Sequence, residues 1–212
     1  ASGGAAEPEA EGNGRRALGP APSRPPGLGQ PCGPSTRGAL LAAGLPLAGL
    51  FTPEHGLSAR APDGAGVADQ VDRETGLPVV SLYGPRLSPP PSALSGLDLV
   101  LFDLQDVGAR FYTFLWTLTH LMEACARAGV PLWVLDRPNP LGGEPESVEG
   151  PLPDPEAPAS LLGRWPIPVR HSLTLGELAL LLRQEMEVGV ELEVVAMAGW
   201  RRGLLWPGTG LP

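Results

Sequence analysis

Residues 97–135, LDLVLFDLQDVGARFYTFLWTLTHLMEACARAGVPLWVL, decide the fold of this chain. The stretch opens on an apolar segment, residues 97–104, and closes on another, residues 131–135, and each is short enough to be one buried strand. Between them, apolar residues recur at helical spacing from Phe111 to Cys125, and Gly129 provides a helix end. A strand, a helix and a strand within about 40 residues predict a right-handed βαβ unit with parallel strands.

The segments on both sides of this unit continue the alternation of strands and helices. Residues 35–43 are typical of a short helix that ends at Gly44, and residues 174–177 have the spacing of a capping box, which predicts a helix after Thr174. Further strands are predicted at residues 45–51, 79–83 and 190–196. The fold class is therefore α/β, with a parallel sheet flanked by helices on both faces.

Glycine and proline are frequent and unevenly placed. The 212 residues include 29 Gly and 27 Pro, yet 42% are hydrophobic, enough for a sizeable core. Because residues 1–34 are the densest in both, we expect a disordered lead there and a folded domain over residues 35–198. Prolines at positions 85 and 89–91 predict a stiff loop. Residues 138–168 are also proline-rich, but apolar residues such as Trp165 and Ile167 predict an ordered excursion rather than a linker.

Composition excludes several classes of protein. The net charge is −8, and the chain has no basic cluster, so a nucleic-acid partner is not expected. No apolar run approaches the roughly 18 residues that a membrane span needs. Two cysteines, Cys32 and Cys125, do not make a disulfide scaffold, and we interpret them as unpaired thiols. All 15 cationic side chains are Arg, whose forked guanidinium suits carboxylate ligands.

Several catalytic motifs are missing from the sequence. It has no G-x-G-x-x-G after a strand, no G-x-x-x-x-G-K-[ST] and no G-x-S-x-G, which removes the main support for dinucleotide binding, nucleotide binding and a serine hydrolase. With 3 His and no H-E-x-x-H, we expect neither a metal nor another cofactor. A metal- or phosphate-dependent hydrolase stays open as an alternative, because His55, Asp103, Asp106 and His171 are possible ligands.

Polar side chains follow the predicted strands at the points where the strands end. In parallel α/β sheets ligands bind beyond the carboxyl ends of the strands, so these residues are the candidate site. They are Glu54, His55, Asp103, Asp106, Arg110, Asp136, Arg137 and Asn139, with His171 from a fourth connection. Structural alternatives exist: His55 can orient its loop, Asp103 can pair with Arg110 or Arg137, and Gln105 or Asp106 can cap the next helix.

Six strings carry a resemblance to a known family. They are FTPEHG (51–56), DLQDVGARFYTF (103–114), LDRPNPLGG (135–143), VEGP (148–151), PIPVRHSLTLGELA (166–179), and GWRR (199–202) with TGLP (209–212). Together they resemble the NamZ-type exo-β-N-acetylmuramidases, glycoside hydrolase family 171, formerly a conserved domain of unknown function. The resemblance implies a Rossmann-like domain followed by a smaller C-terminal domain, with the active site in the cleft between them. Residues 199–212 would then begin the connection to the second domain, and the chain would be a fragment.

The resemblance also implies an activity and a set of site residues. The activity is exo-acting release of N-acetylmuramic acid from the non-reducing ends of peptidoglycan fragments, which favours a secreted or periplasmic location over a cytoplasmic one. Glu54 matches the catalytic glutamate, and His55 is carried with it. The matching pocket segments supply Asp103 as a second catalytic group and, for substrate binding, Gln105, Asp106, Arg110, Tyr112, Arg137, Asn139, Arg170 and His171. A non-enzymatic module that binds cell-wall sugars is the alternative function.

The expected mechanism uses Glu54 as the general acid, with a pKa raised by burial in its loop and by neighbouring carboxylates. Either Asp103 activates a water molecule, or the 2-acetamido group of the substrate attacks while Asp103 or His55 orients it. Arg110 or Arg137 would bind the lactyl carboxylate that distinguishes muramic acid from glucosamine.

Overall fold

Seven strands in the described part of the chain form one sheet. The computed structural model describes residues 16–18, 35–57, 61–62, 64–154, 156 and 160–211. The strands are β1 (Arg16–Leu18), β2 (Leu47–Thr52), β3 (Gln70–Val71), β4 (Pro78–Ser81), β5 (Leu99–Phe102), β6 (Leu132–Leu135) and β7 (Leu192–Val195). Their order is β3-β4-β2-β1-β5-β6-β7, and all neighbours are parallel except the antiparallel pair β3 and β4. The predicted α/β class and parallel sheet are confirmed.

Four α-helices within the described ranges connect these strands. They are α1 (Thr36–Ala42), α2 (Pro91–Leu94), α3 (Thr113–Ala128) and α4 (Leu175–Glu185). The predicted capping box is present, since the Thr174 hydroxyl accepts the Glu177 N–H at 3.2 Å and the Glu177 carboxylate accepts the Thr174 N–H at 3.0 Å. The interpretation of the proline-rich stretch as loop alone was wrong, because Pro91 occupies the first turn of α2, where a missing N–H costs nothing.

Strand β1 lies inside the lead that we expected to be disordered. Arg16–Leu18 pairs with both β2 and β5 and therefore sits near the centre of the sheet. That part of the prediction was wrong, because a strand of 3 residues is too short to show periodicity and is held by ladder hydrogen bonds that its neighbours supply. The rest of the predicted lead, together with Cys32, lies outside the described residues.

The core lies mainly between the sheet and helices α3 and α4. Its largest fully buried side chains include Trp116, Phe114 and Phe102. The alternate residues of β5, Leu99 and Leu101, point to the opposite face, where partly buried side chains that include Leu40 of α1 cover them. Both faces of the sheet are thus covered, as a parallel sheet requires. No helix in the described residues is long and apolar enough to cross a membrane.

The predicted excursion at residues 138–168 is ordered where the structure describes it. Ile167 is 5% exposed, and Leu161 and Trp165 pack against the main core. The Arg110 guanidinium donates to the carbonyls of Pro151 at 2.8 Å and Ile167 at 2.6 Å, which ties the middle and the end of the excursion to the segment before α3.

Cys125 is a buried thiol within α3. It is free of disulfide bonding, and burial raises its pKa to about 12, so it stays protonated at physiological pH. Cys125 therefore serves as a small apolar side chain in the core, as its position on the apolar helix face predicts.

Candidate active site

Glu54 is a buried carboxylate held at two points beyond the end of β2. It is 8% exposed. One carboxylate oxygen, Oε1, accepts the Gly64 N–H at 2.7 Å, and the other, Oε2, accepts the Thr113 hydroxyl at 2.8 Å. The Tyr83 hydroxyl is a further donor to this carboxyl. Because Thr113 is the first residue of α3, the site joins the β2 loop to the beginning of the central helix.

His55 shapes the loop that supplies one of these bonds. Its backbone is left-handed, with φ at 73°, and Gly56 follows with φ at 71°. The His55 ring Nδ1 lies 2.9 Å from the Ala61 carbonyl, and the Ala61 N–H donates to the His55 carbonyl at 3.1 Å. These two contacts close the loop and bring Gly64 to Glu54. His55 therefore orients its loop, which is the structural alternative stated for it above.

The pKa of Glu54 is lowered from its ordinary value of 4.5. Burial alone raises this pKa, but the bonds from Gly64, Thr113 and Tyr83 and the charge of His55 together outweigh it. The expected raised pKa was therefore wrong, because sequence reasoning included the burial and missed the donors. At neutral pH the Glu54 carboxylate is ionised, which suits a group that accepts a proton or faces a developing positive charge.

Thr113→Val tests this origin of the lowered pKa. Removing the hydroxyl removes one bond to the charged carboxylate, so we expect the pKa of Glu54, followed by NMR titration of its side-chain carboxyl, to rise toward its ordinary value. The control is Thr117→Val, which removes a buried hydroxyl of the same helix that bonds the Thr113 carbonyl instead. If the pKa of Glu54 in both variants equals that of the unmodified protein, Thr113 does not set this pKa.

A cleft opens directly onto Glu54. Its volume is about 580 Å³, within the range typical of small-molecule sites. It is lined by Glu54, His55, Gly64, Tyr83, Phe111, Tyr112, Thr113, Ser160, Leu161 and Leu162. A groove of about 630 Å³ along residues 197–211 is larger, but none of the described residues that line it carries a carboxylate, so the Glu54 cleft is the better candidate for acid–base chemistry.

Asp103 forms a buried ion pair rather than part of the cleft lining. Its Oδ1 accepts a hydrogen bond from Arg137 Nε at 2.5 Å, and its Oδ2 accepts one from the Thr36 hydroxyl. The Asp103 side chain is 2% exposed and that of Arg137 is 27% exposed. With both oxygens occupied, the carboxylate joins the ends of β5 and β6 to the first residue of α1, which matches the structural alternative for Asp103.

A second group of predicted residues meets around Asp106. Its Oδ2 accepts the Gly108 N–H at 2.7 Å and lies 3.2 Å from His171 Nε2, a close approach outside hydrogen-bond geometry. The Leu173 N–H donates to His171 Nδ1 at 3.3 Å, so a neutral ring carries its proton on Nε2. Asn139 donates to the Leu173 carbonyl at 2.9 Å and packs against Gly108, where an added Cβ would lie 2.4 Å from the Asn139 amide oxygen.

Tyr112 connects this cluster to the Glu54 cleft. Burial, and then the charges of Asp106 and Glu54, raise the pKa of Tyr112 above its ordinary value. The phenol is therefore neutral at physiological pH and can donate a hydrogen bond to a ligand in the cleft. Gln105 serves the neighbouring backbone instead, donating to the Asp106 and Pro138 carbonyls at 2.7 Å each.

The candidate arginines hold chain segments together. Arg110 binds the two carbonyls of the excursion, Arg137 binds Asp103, and Arg170 binds Glu149 at 3.2 Å and the Leu141 carbonyl at 2.6 Å. Among the described residues that line the Glu54 cleft there is no arginine. The binding of a substrate carboxylate by Arg110 or Arg137 stays a prediction.

The structure brings Glu54, His55 and Tyr112 into one cleft, and the cleft is also lined by seven residues that sequence reasoning did not assign to a site. Tyr83 follows β4, so the strand-end rule could have found it. Gly64, Phe111 and Thr113 had no comparable signal, because a loop amide and a helix start depend on tertiary placement. Within the described residues, no three His, Cys, Asp or Glu side chains meet in a cluster that could hold a metal ion.

The parallel sheet and its strand-end site define a Rossmann-like α/β protein, and comparisons with known proteins identify its family. The family model for the N-terminal region of exo-beta-N-acetylmuramidase NamZ matches residues 32–212. The chain therefore belongs to the NamZ family. It is 45% identical over 168 residues to the peptidoglycan beta-N-acetylmuramidase NamZ of Bacillus subtilis strain 168, an alignment that covers 79% of this chain and 40% of the relative.

Two solved structures from Bacteroides fragilis NCTC 9343, both DUF1343 family proteins, share the fold. One has a TM-score of 0.77 and 34% identity, and the match covers 95% of this chain and 49% of the other. The second has a TM-score of 0.74 and 30% identity, with coverage of 92% and 50%. The chain thus spans half or less of the length of these relatives.

Proposed function

We propose that this protein is a glycoside hydrolase that releases N-acetylmuramic acid from the non-reducing ends of peptidoglycan fragments, with Glu54 as its principal catalytic carboxyl. The observation that carries the proposal is the fixed, ionised Glu54 carboxylate in a cleft of about 580 Å³. The Bacillus subtilis relative is named as a peptidoglycan beta-N-acetylmuramidase, which supports the substrate class. Such a substrate favours a secreted or periplasmic location.

The chemistry divides into two tasks. Hydrolysis breaks the bond between the anomeric carbon and the glycosidic oxygen, adds the hydroxyl of water to that carbon and transfers a proton to the departing oxygen. An ionised Glu54 is suited to act at the anomeric carbon. It can attack that carbon as a nucleophile, take a proton from the attacking water, or stabilise the oxocarbenium-like positive charge. This assignment replaces the general-acid role expected from sequence.

Besides direct attack by Glu54, two routes bring a nucleophile to the anomeric carbon. Asp103 has both oxygens occupied, which argues against its activating water. Attack by the 2-acetamido group of the substrate is the other route, and the ionised Glu54 then faces the positive charge that develops on the sugar. On either route the departing oxygen takes its proton from solvent water or from the neutral phenol of Tyr112, which lines the cleft.

Turnover of a defined disaccharide tests the proposal. The purified protein is incubated with N-acetylmuramic acid β-1,4-linked to N-acetylglucosamine, and released monosaccharides are measured by mass spectrometry. We expect cleavage of this disaccharide and none of the matched disaccharide of two N-acetylglucosamine units. Binding by calorimetry without release would instead support the sugar-binding module, and release that stops with chelator would support the metal-dependent hydrolase.

A further inference from the structure

Phe111 is an aromatic side chain exposed on the rim of the Glu54 cleft. Helical spacing predicts it on the buried face with Cys125, but α3 begins at Thr113 and Phe111 is 62% exposed. Burying an aromatic side chain of this size stabilises a folded protein, so a ring left in water contributes nothing to folding. A ligand that covers the ring would recover that free energy.

The backbone around Phe111 is fixed, which prevents the ring from turning into the core. Before it, the Arg110 N–H donates to the Val169 carbonyl at 2.8 Å, and the Arg110 carbonyl accepts Nε1 of the buried Trp116 at 2.9 Å. After it, the Tyr112 N–H donates to the Ala109 carbonyl at 3.0 Å. The Tyr112 ring packs on Phe114 with their centroids 4.6 Å apart. The backbone that carries the exposed ring is therefore held on both sides.

The cleft has a polar floor and an apolar rim. Glu54, 8% exposed, is at the floor, whereas Phe111 and the 42%-exposed Leu162 stand at the rim. A pyranose ring presents polar hydroxyls at its edge and apolar C–H groups on its faces, so an aromatic ring complements its face. A sugar whose anomeric carbon reaches Glu54 places the next sugar of the chain outward, at the rim.

We propose that Phe111 is the platform on which the sugar on the leaving-group side of the scissile bond stacks. This inference rests on the proposed function and specifies one of its subsites. It makes Phe111 a determinant of substrate preference, distinguishing an oligosaccharide from a simple glycoside, and it gives the ring no part in proton transfer.

Two substrates with different leaving groups separate stacking from other effects of substitution. In the disaccharide of N-acetylmuramic acid and N-acetylglucosamine, the leaving group is a sugar that can stack on Phe111. In N-acetylmuramyl β-fluoride, the leaving group is a single fluoride ion. We expect Phe111→Ala to lower kcat/KM for the disaccharide about tenfold and to leave the fluoride unchanged, while Phe111→Trp retains activity on both. Leu180→Ala, at a 48%-exposed apolar residue on α4, is the control.

The outcomes distinguish this inference from the proposed function. An equal loss on both substrates, or no loss on the disaccharide, overturns the stacking role while hydrolysis stands. If the unmodified protein hydrolyses neither substrate, the proposed function fails. Binding measured by calorimetry then tests whether a sugar stacks on Phe111. A tenfold weaker binding of the disaccharide to Phe111→Ala, with binding of the monosaccharide unchanged, supports it, and equal binding overturns it.

Discussion

Glu54→Gln is expected to reduce kcat on the disaccharide by about 10³-fold, the scale of losing a positioned proton-transfer or nucleophilic group. The substitution keeps the shape of the side chain and removes its charge, so no group in the cleft meets the positive charge that develops on the sugar. Folding should survive. The amide oxygen can still accept the Gly64 N–H, and the Thr113 hydroxyl can rotate to accept from the amide nitrogen.

The matched control is Glu185→Gln, at an exposed position on the last turn of α4. It changes the net charge by the same amount and should leave turnover and thermal unfolding unaltered. If Glu54→Gln keeps near-normal turnover and has the same circular dichroism spectrum as the unmodified protein, Glu54 takes no part in the chemical step.

Asp103→Asn should act on stability instead of on the chemical step. The change leaves the Arg137 guanidinium without its anionic partner at the edge of the core, and breaking a buried pair from one side costs several kcal/mol. Because Arg137 is partly exposed, we expect the lower end of that range, a loss of about 3 kcal/mol in the free energy of unfolding measured with urea. At a temperature where the variant is folded, kcat should stay within a few-fold of normal.

Glu74→Gln provides the comparison for this ion pair. Glu74 also binds an arginine, Arg37, but its side chain is 74% exposed, so the loss should be below about 1 kcal/mol. A stable Asp103→Asn protein with kcat reduced as far as in Glu54→Gln would instead identify Asp103 as the second catalytic group.

The strands and helices with a strong internal pattern could be predicted from the sequence. The periodicity of residues 97–135 requires a buried strand, helix and strand, and β5, α3 and β6 occur there. Gly129, with φ at 67°, ends α3 as its position predicts. The 3-residue strand β1 and the 2-residue strand β3 escaped prediction, because their partners hold them in place and their own composition carries no signal.

The candidate site was predictable in part for a similar reason. Strand ends locate Glu54, and the loop around it is fixed by Pro53 and Gly56, so its position follows from local sequence. Its pKa depends on Gly64, Thr113 and Tyr83, which come from three other places in the chain. The partners of Asp103 and the exposure of Phe111 are likewise tertiary properties. Sequence reasoning therefore located the site more reliably than it assigned the roles within it.

A crystal structure of Glu54→Gln with the uncleaved disaccharide tests the central claim most directly. We predict the anomeric carbon of the N-acetylmuramic acid unit beside the amide at position 54, with the second sugar against Phe111 and the Tyr112 hydroxyl bonded to the substrate. Density for the disaccharide in the groove along residues 197–211, with an empty Glu54 cleft, would contradict it.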